Sequence, residues 1–383
     1  MALHFDEHEF STRKDRLQSA MQAQKLDAML LFAQESMYWL TGYDTFGFCF
    51  FQCMVVTKTG DVALLTRSAD LRQARHTSNI ENIAIWEDRA DARPTLDLKD
   101  MLSNMNLLGS KIGVEYDCVG LNGRRAKELD EDLMSFADLS DASQLITGLR
   151  AIKSEAEIAY VREAAMLGDH ALVVARPLIK AGADEGAILA AMQGAIFEGG
   201  GDYPGNEFII GSGDDALLCR YKSGRRKLSD QDQLTLEWAG AYRRYHAALM
   251  RTIVVGKATA RHEELFQASA DALTAVENAM QPGNTFGDVF QAHADVMDGA
   301  GLRRHRLNAC GYSLGAHFTP CWMDMPMFYS NNEAKIEPNM TLFAHMIIMD
   351  SQSGTAMTLG RTYLTTSGDP QSLSSLPLDL IVA

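Results

Sequence analysis

The order of helical and extended segments after residue 148 is the feature that most limits how this chain can fold. Helices show apolar residues three or four positions apart, whereas buried strands show short apolar runs. In chain order the segments are a helix ending near 175, a helix at 184–199, strands at 208–210, 233–237 and 249–255, helices at 262–280 and 286–299, and strands at 341–349 and 356–365. Two helices followed by strands occur twice. This order predicts an internally duplicated α+β domain, although the two halves share no convincing identity.

The first 147 residues have a different pattern, which is typical of a separate α/β domain. An amphipathic helix runs from Phe10 onward, and a strand hairpin surrounds residues 58–60. Between them, the pattern indicates a buried strand at Ala28–Phe32 and a short turn and strand at Met37–Tyr43. We therefore predict an α/β two-domain chain with domains at 1–147 and 148–383, each of ordinary size.

Composition limits the partners of the chain. Its 383 residues carry a formal net charge of −15, and such an acidic surface argues against nucleic acid and against an anionic membrane as partners. The sequence shows no signal-peptide pattern and no apolar stretch long enough for a bilayer, so we expect a cytoplasmic protein. The six cysteines form no C-x-x-C pair and indicate buried thiols rather than a disulfide framework.

Five short sequence motifs follow one another along the chain. They are Tyr38-Trp-Leu-Thr-Gly-Tyr43, Leu149-Arg-Ala-Ile-Lys-Ser-Glu-Ala-Glu-Ile158, Met250-Arg-Thr252, Gly311-Tyr-Ser-Leu-Gly315 and Glu337-Pro-Asn-Met-Thr-Leu-Phe-Ala-His345. Together they resemble the creatinase, aminopeptidase P and prolidase family. The resemblance implies a creatinase-type α/β domain followed by a pita-bread catalytic domain, and it implies a homodimer.

The resemblance also allows the family's metal site to be compared position by position. Peptidases of this family hold two divalent metals with Asp, Asp, His, Glu and Glu, and these positions fall in that order on Glu237, Ala248, Tyr312, His345 and Gly360. Ala248 and Gly360 have no side chain that can bind a metal. Two remaining ligands rarely hold a catalytic ion. We therefore expect no metal and no other cofactor.

Two metal-free branches of the family look similar to this chain at these positions. Creatinase also has an alanine where Ala248 lies, and the ectoine hydrolases are similar around Tyr312 and His345. The chain departs from both branches ahead of the central strands, where Arg220 replaces the usual catalytic histidine.

Hydrolysis without a metal must use side chains as base, acid or nucleophile. Glu237 is the candidate base or nucleophile, because burial on an apolar strand would raise the pKa of its carboxyl; otherwise it pairs with an arginine and stabilises the sheet. His246 and His345 are candidate proton relays, and Tyr312 could donate a hydrogen bond to a leaving group or oxyanion. The structural alternatives are a hydrogen-bonded strand residue for His246, a core histidine for His345 and ordinary packing for Tyr312.

Three further residues are candidates for substrate binding. Arg220 could hold a carboxylate in a bidentate fork, and Trp322 could form an apolar or cation-binding wall. His317 is shifted from the family's second histidine and is the weakest of the three. For Trp322 the alternative is core packing.

These residues predict a metal-independent hydrolase that cleaves a non-peptide C–N bond in a small zwitterionic or carboxylate-bearing compound. A metal-dependent Xaa-Pro dipeptidase, an osmolyte lyase and a non-catalytic binding protein of the same fold are the alternatives. Binding proteins of this fold tend to lose the polar groups of the cavity, whereas this chain keeps Glu237, His246, Tyr312 and His345.

Overall fold

A computed structural model describes residues 3–220 and 225–383 of the chain. The chain forms two compact units, divided between Arg150 and Ala151. No helix of the described residues is both long enough and apolar enough to cross a bilayer.

The first unit contains one six-stranded mixed sheet with helices α1–α6. The helices are α1 Glu7–Gln24, α2 Gln34–Thr41, α3 Ser68–Thr77, α4 Pro94–Asn104, α5 Gly123–Leu133 and α6 Ser143–Ala151. The strands are β1 Ala28–Leu31, β2 Cys53–Thr57, β3 Val62–Arg67, β4 Asn82–Trp86, β5 Lys111–Val114 and β6 Asp138–Asp141. Their order in the sheet is β4-β3-β2-β1-β5-β6. Strand β2 pairs in antiparallel fashion with both β1 and β3. The pairs β1–β5, β5–β6 and β3–β4 are parallel.

The hairpin expected around residues 58–60 is present, since β2 and β3 pair in antiparallel register. The turn and strand predicted at Met37–Tyr43 is wrong, because residues 37–41 belong to helix α2. The helix ends at Gly42, whose left-handed φ of 81° forms the C-cap and explains the glycine that had indicated a turn. The Thr41 hydroxyl donates to the Met37 carbonyl inside the last turn.

The second unit contains four long helices and one large sheet. The helices are α7 Glu155–Ala175, α8 Glu185–Glu198, α9 Ala260–Ala279 and α10 Phe286–Gly299. The strands are β7 Ile209–Ser212, β8 Asp232–Tyr242, β9 Tyr245–Val255, β10 Ala309–Ser313, β11 Asp324–Tyr329, β12 Thr341–Asp350, β13 Thr355–Leu364, β14 Gln371–Ser372 and β15 Ile381–Val382. The duplicated order of two helices and then strands, predicted from the sequence, is confirmed.

Helix α7 begins inside the motif Leu149–Ile158. The geometry of its first turn explains the presence of Ser154 and Glu157 in this motif. The Ser154 side chain accepts from the Glu157 backbone, and the Glu157 carboxylate accepts from the Ser154 backbone. This reciprocal capping box satisfies two N–H groups that a helix start otherwise leaves without partners.

The main sheet of the second unit has the order β11-β10-β12-β13-β9-β8-β7, with antiparallel neighbours throughout this path. Its helix-covered face includes Trp238, whose indole N–H donates to the Gly168 carbonyl of α7 at 2.8 Å. Gly240 lies so close to α7 that a Cβ there would be 1.8 Å from the Ala164 carbonyl oxygen. Because side chains alternate along a strand, the odd-numbered residues of β8, including Glu237, lie on the opposite face.

Candidate active site

The five positions that the family resemblance assigns to metal ligands all lie on one face of the main sheet. Glu237 is paired with Met250, Met250 with Gly360, and Gly360 with His345, and directly paired residues share a face. Ala248 is two residues from Met250 on the same strand. Tyr312 is paired with Phe343, two residues from His345. The register therefore brings together residues from five strands that are far apart in the sequence.

Ala248 and Gly360, the two positions that cannot bind a metal, are packed against neighbouring residues. A Cβ added to Gly360 would be 2.9 Å from Cζ of the Phe343 ring and 3.1 Å from the Ala344 carbonyl oxygen. Ala248, Met250 and Phe343 belong to one buried apolar cluster that also includes Tyr312 and Trp322. The Phe343 ring thus lies where a side chain at position 360 would project, and Ala248 is packed among apolar residues.

Glu237 is the acidic residue of this face. Its side chain is 9% exposed. Burial raises the pKa of the Glu237 carboxyl to about 7, and a hydrogen bond from Tyr312 and the charge of Arg220 oppose this rise. A carboxyl with a pKa near neutrality exchanges a proton readily at physiological pH, as a general base must.

Tyr312 links Glu237 to an indole. The Tyr312 hydroxyl lies 3.2 Å from Oε1 of Glu237 and 2.9 Å from Nε1 of Trp322. Burial and the neighbouring Glu237 carboxylate raise the pKa of the Tyr312 phenol well above its usual value, so the phenol stays protonated. The backbone N–H of Trp322 donates to Oδ1 of Asn206 at 3.1 Å.

His345 lies beside these groups as a neutral imidazole. Its ring centroid is 5.7 Å from that of Tyr312 and 5.4 Å from that of Phe343. Burial lowers the pKa of the His345 imidazole to about 3. Its buried Nδ1 has no hydrogen-bond partner among the described residues. Within the described part of the chain, one ring nitrogen of His345 thus has an unused hydrogen-bonding capacity.

His246 has both ring nitrogens directed at the backbone. The Gly205 N–H donates to Nε2 at 2.8 Å, and Nδ1 lies 3.3 Å from the Gly315 carbonyl oxygen. Burial lowers the pKa of the His246 imidazole to about 3. These bonds fix a neutral tautomer with its proton on Nδ1, which suits a residue that holds two loops together.

His317 and Arg220, the remaining two candidates, have different surroundings. Nε2 of His317 is 3.2 Å from Oδ2 of Asp324, so its ring is directed at a carboxylate of the chain. Arg220 is exposed, and its charge lowers the pKa of both Glu237 and His345, which places it on the same side of the sheet. The structure thus groups Glu237, Tyr312, Trp322 and His345 directly, with Arg220 near them.

Three contributors to the site were missed by the sequence reasoning. Phe343 fills the space beside Gly360, Asn206 holds Trp322, and the buried Arg251 donates to the Met250 and Gly360 carbonyls from the helix-covered side of the sheet. An arginine within the apolar run 247–255 was the available signal for Arg251. Phe343 and Asn206 become visible only when strand register and loop contacts are known.

The donor set does not fit a pair of divalent metals. Among residues 3–220 and 225–383, no group of three or more His, Cys, Asp or Glu side chains is arranged to hold a metal ion. One ligand position is occupied by a tyrosine hydroxyl that is already bonded to Glu237 and Trp322. Another, Gly360, lies against the ring of Phe343. We therefore derive no catalytic step through a metal.

Family models match both halves of the chain. Residues 13–152 match the creatinase/prolidase N-terminal domain, and residues 159–367 match metallopeptidase family M24. The chain belongs to metallopeptidase family M24. The resemblance to creatinases and prolidases seen in the sequence is confirmed, and this M24 chain is a hydrolase of a family that acts on C–N bonds.

Two curated relatives match this M24 protein over their whole length. The ectoine hydrolase of Halomonas elongata is 26% identical over 404 residues, which cover 100% of this chain and 99% of that protein. An uncharacterised hydrolase/peptidase of Sinorhizobium fredii is also 26% identical, over 392 residues and 99% of each chain.

Solved structures show the same fold at lower identity. A prolidase from Thermococcus sibiricus matches with a TM-score of 0.86 at 18% identity, covering 98% of this chain and 99% of its own. The dipeptidase PepE of Mycobacterium ulcerans matches with a TM-score of 0.85 at 20% identity, covering 99% of each chain. The predicted fold, an N-terminal creatinase-like domain and a C-terminal pita-bread domain, is confirmed.

Proposed function

We propose that this protein is a metal-independent hydrolase that cleaves a non-peptide C–N bond in a small zwitterionic or carboxylate-bearing compound. The observation that carries the proposal is the placement of Glu237. It is a buried carboxyl with a pKa raised to about 7, on the face where the family's metal-ligand positions 248 and 360 carry no group that can bind a metal. The full-length similarity to an ectoine hydrolase supports the same class of substrate.

In this proposal Glu237 acts as a general base on water. The carboxylate removes one proton from a water molecule, and the water oxygen forms a bond to the electrophilic carbon of an amide or amidine. The electron pair of the C=O or C=N bond moves to its heteroatom. When the tetrahedral intermediate collapses, the C–N bond breaks and Glu237 returns its proton to the leaving nitrogen.

Neighbouring groups suit a substrate that carries both charges. The aromatic rings of Tyr312 and Phe343 and the neutral ring of His345 pack against one another, and Tyr312 is bonded to Glu237. Aromatic faces of this kind favour a delocalised cation. Nδ1 of His345 is available to hydrogen-bond the reacting group. Arg220 supplies a positive charge for a carboxylate. A nucleophilic attack by Glu237 itself is the alternative to base catalysis at the same residue.

The proposal is tested with protein purified without added metal and treated with a chelator. Ectoine, creatine and a Xaa-Pro dipeptide serve as substrates, and products are followed by proton NMR. We expect hydrolysis of a zwitterionic compound, and a loss of about 10²–10⁴-fold in the Glu237→Gln variant. Glu198→Gln, which alters an exposed acid at the end of α8, should keep full activity.

Other outcomes would replace the proposal. A fully active Glu237→Gln variant would remove Glu237 from the chemistry. Cleavage of only the dipeptide, and only with added Mn²⁺, would favour the dipeptidase suggested by the prolidase-like fold. Products that differ from substrate by loss of an amine without gain of water would identify a lyase, and binding of a compound without turnover would identify a binding protein.

We further propose a cytoplasmic homodimer that acts on a small molecule and binds neither nucleic acid nor membrane. The acidic net charge of −15 supports the lack of affinity for polyanions. All six cysteines are free thiols in the structure, which suits a reducing compartment.

A further inference from the structure

We infer that Trp322 is a positioning residue that commits the proton of the Tyr312 hydroxyl to Oε1 of Glu237, so that Oε2 of Glu237 is the oxygen that meets water. The inference rests on the proposed function for the role of Oε2. Its structural part, the direction of the hydrogen bonds, stands independently of any substrate.

The direction follows from the chemistry of the three groups. An indole N–H can only donate, so the Tyr312 oxygen accepts from Nε1 of Trp322 at 2.9 Å. A phenol has a single proton, and the other polar atom bonded to this hydroxyl is Oε1 of Glu237 at 3.2 Å. When Glu237 is ionised, its oxygens only accept. The chain of donors therefore runs from Trp322 to Tyr312 to Glu237.

Trp322 is held in place from two sides. Its side chain is 1% exposed, and its backbone N–H is bonded to the side chain of Asn206. The neighbouring Gly205 lies so close that a Cβ there would be 2.8 Å from the Cys321 carbonyl oxygen, and its N–H is bonded to His246. The loop at 205–206 thus fixes the indole, and His246 fixes the loop.

This arrangement leaves one oxygen of Glu237 for chemistry. The bond from Tyr312 is the hydrogen bond that the described residues provide to this carboxyl, and the side chain keeps 9% of its surface exposed. Oε2 is therefore the oxygen that can accept a proton from water. While the Tyr312 hydroxyl donates to Oε1, its single proton is not available to a leaving group.

The hydrogen bond also sets the protonation of the base. Burial raises the pKa of Glu237, while the bond from Tyr312 lowers it. Removal of the Tyr312 hydroxyl group should therefore raise the pKa of Glu237 by about one pH unit or more.

The test measures the pKa of Glu237 directly, without substrate. Protein labelled with ¹³C at glutamate side-chain carboxyls is titrated by NMR, and the Glu237 signal is assigned by its loss in Glu237→Gln. We expect Tyr312→Phe to raise this pKa by about one pH unit. Trp322→Phe keeps an aromatic ring but removes the N–H, and it should raise the pKa in the same direction by at least about half as much.

A matched control is Trp86→Phe. Trp86 donates its indole N–H to the Phe51 carbonyl in the first unit, so the same atoms are removed without touching Tyr312. It should leave the Glu237 titration unchanged. If Trp322→Phe does not fold, Asn206→Ala replaces it, since this change frees the Trp322 backbone and should also raise the pKa.

The inference is overturned if Tyr312→Phe leaves the pKa unchanged, because the hydroxyl proton is then not committed to Glu237. It is also overturned if Tyr312→Phe raises the pKa while the folded Trp322→Phe or Asn206→Ala variant does not. Failure of the proposed function is a separate result: the titrations would keep this pattern in a protein that turns over no zwitterionic compound. With an active substrate, Trp322→Phe should lower kcat more than it changes KM.

Discussion

At the scale of single residues, the proposed function depends on the carboxyl of Glu237, whose ionisation should control both activity and stability. A general base must be ionised, and the pKa of Glu237 is about 7. We predict that kcat/KM rises as the pH increases through about 7 and that this acidic limb is set by Glu237. A pH–rate profile with the active substrate checks this. An acidic limb that reaches its plateau below pH 5 would show that another group is the base.

The contribution of the Glu237 carboxyl to folding stability should fall as the pH rises, whereas activity should increase. Because the folded-state pKa of Glu237 is raised from 4.5 to about 7, folding favours its protonated form. The resulting stabilisation is fully present below pH 4.5 and is lost as the pH rises through 7. The Glu237→Gln variant should therefore be more stable than the parent at pH 8.5, by up to about 3 kcal/mol, and show little gain at pH 4.5.

Urea denaturation of both proteins at the two pH values measures this difference. Glu115, a buried carboxyl in the first unit, also has a pKa raised to about 7 by burial, but it is present in both proteins and its effect cancels. An equal stability difference at pH 4.5 and 8.5 would contradict a raised pKa for Glu237.

At the residue level, the sequence indicates neighbours where strand register determines them. Glu237, Tyr312 and His345 meet because alternation and pairing place them on one face, as the family positions implied. The bond between Trp322 and Tyr312 was not visible, because the loop that joins β10 to β11 sets it and loop geometry has no period. The backbone partners of His246 were likewise invisible in the sequence.

At the scale of elements, Gly360 in β13 shows why a side chain at this family metal-ligand position is difficult to accommodate. We predict that Gly360→Ala destabilises the fold by about 1–3 kcal/mol, because the added Cβ would be 2.9 Å from the Phe343 ring. Urea denaturation measures the effect. Adding Phe343→Leu to the same variant should recover part of the loss.

The matched control is Gly194→Ala on helix α8, where a Cβ meets no atom within 4 Å. There the change should stabilise the helix by up to about 1 kcal/mol. If Gly360→Ala unfolds at the same urea concentration as the parent, the space beside Gly360 is not filled as the structure indicates.

Elements were predicted well where periodicity extends over many residues and poorly where it does not. The order of α7 to α10 and of β8, β9, β12 and β13 followed from apolar spacing, and so did the approximate ends of α8, α9, α10, β12 and β13. The predictions at 233–237 and 249–255 missed the end of β8 and the start of β9, which extend to Tyr242 and from Tyr245. The eight-residue helix α2 was taken for a turn and strand, because so short a segment, with seven of its eight residues buried, shows no amphipathic period. Its C-terminal Gly42 was the signal that could have indicated a helix end.

At the scale of the whole molecule, the family resemblance makes a prediction about assembly. We expect a homodimer, so analytical ultracentrifugation at micromolar concentration should give twice the 42.2 kDa mass of the chain. Exposed aromatic side chains in the first unit, Phe46 at 76% and Phe50 at 48%, are of the kind that association covers. A stable species of 42.2 kDa across the same concentration range would contradict the prediction.

If this M24 protein carries out hydrolysis with its own side chains, as we propose, its activity does not depend on a bound metal. The most direct test is elemental analysis of protein purified without added metal, from cells grown with manganese, cobalt and zinc in the medium. We expect well below one metal ion per chain, and the same activity before and after chelation. One or two ions per chain, with activity lost on chelation and restored by metal, would contradict it and favour the dipeptidase.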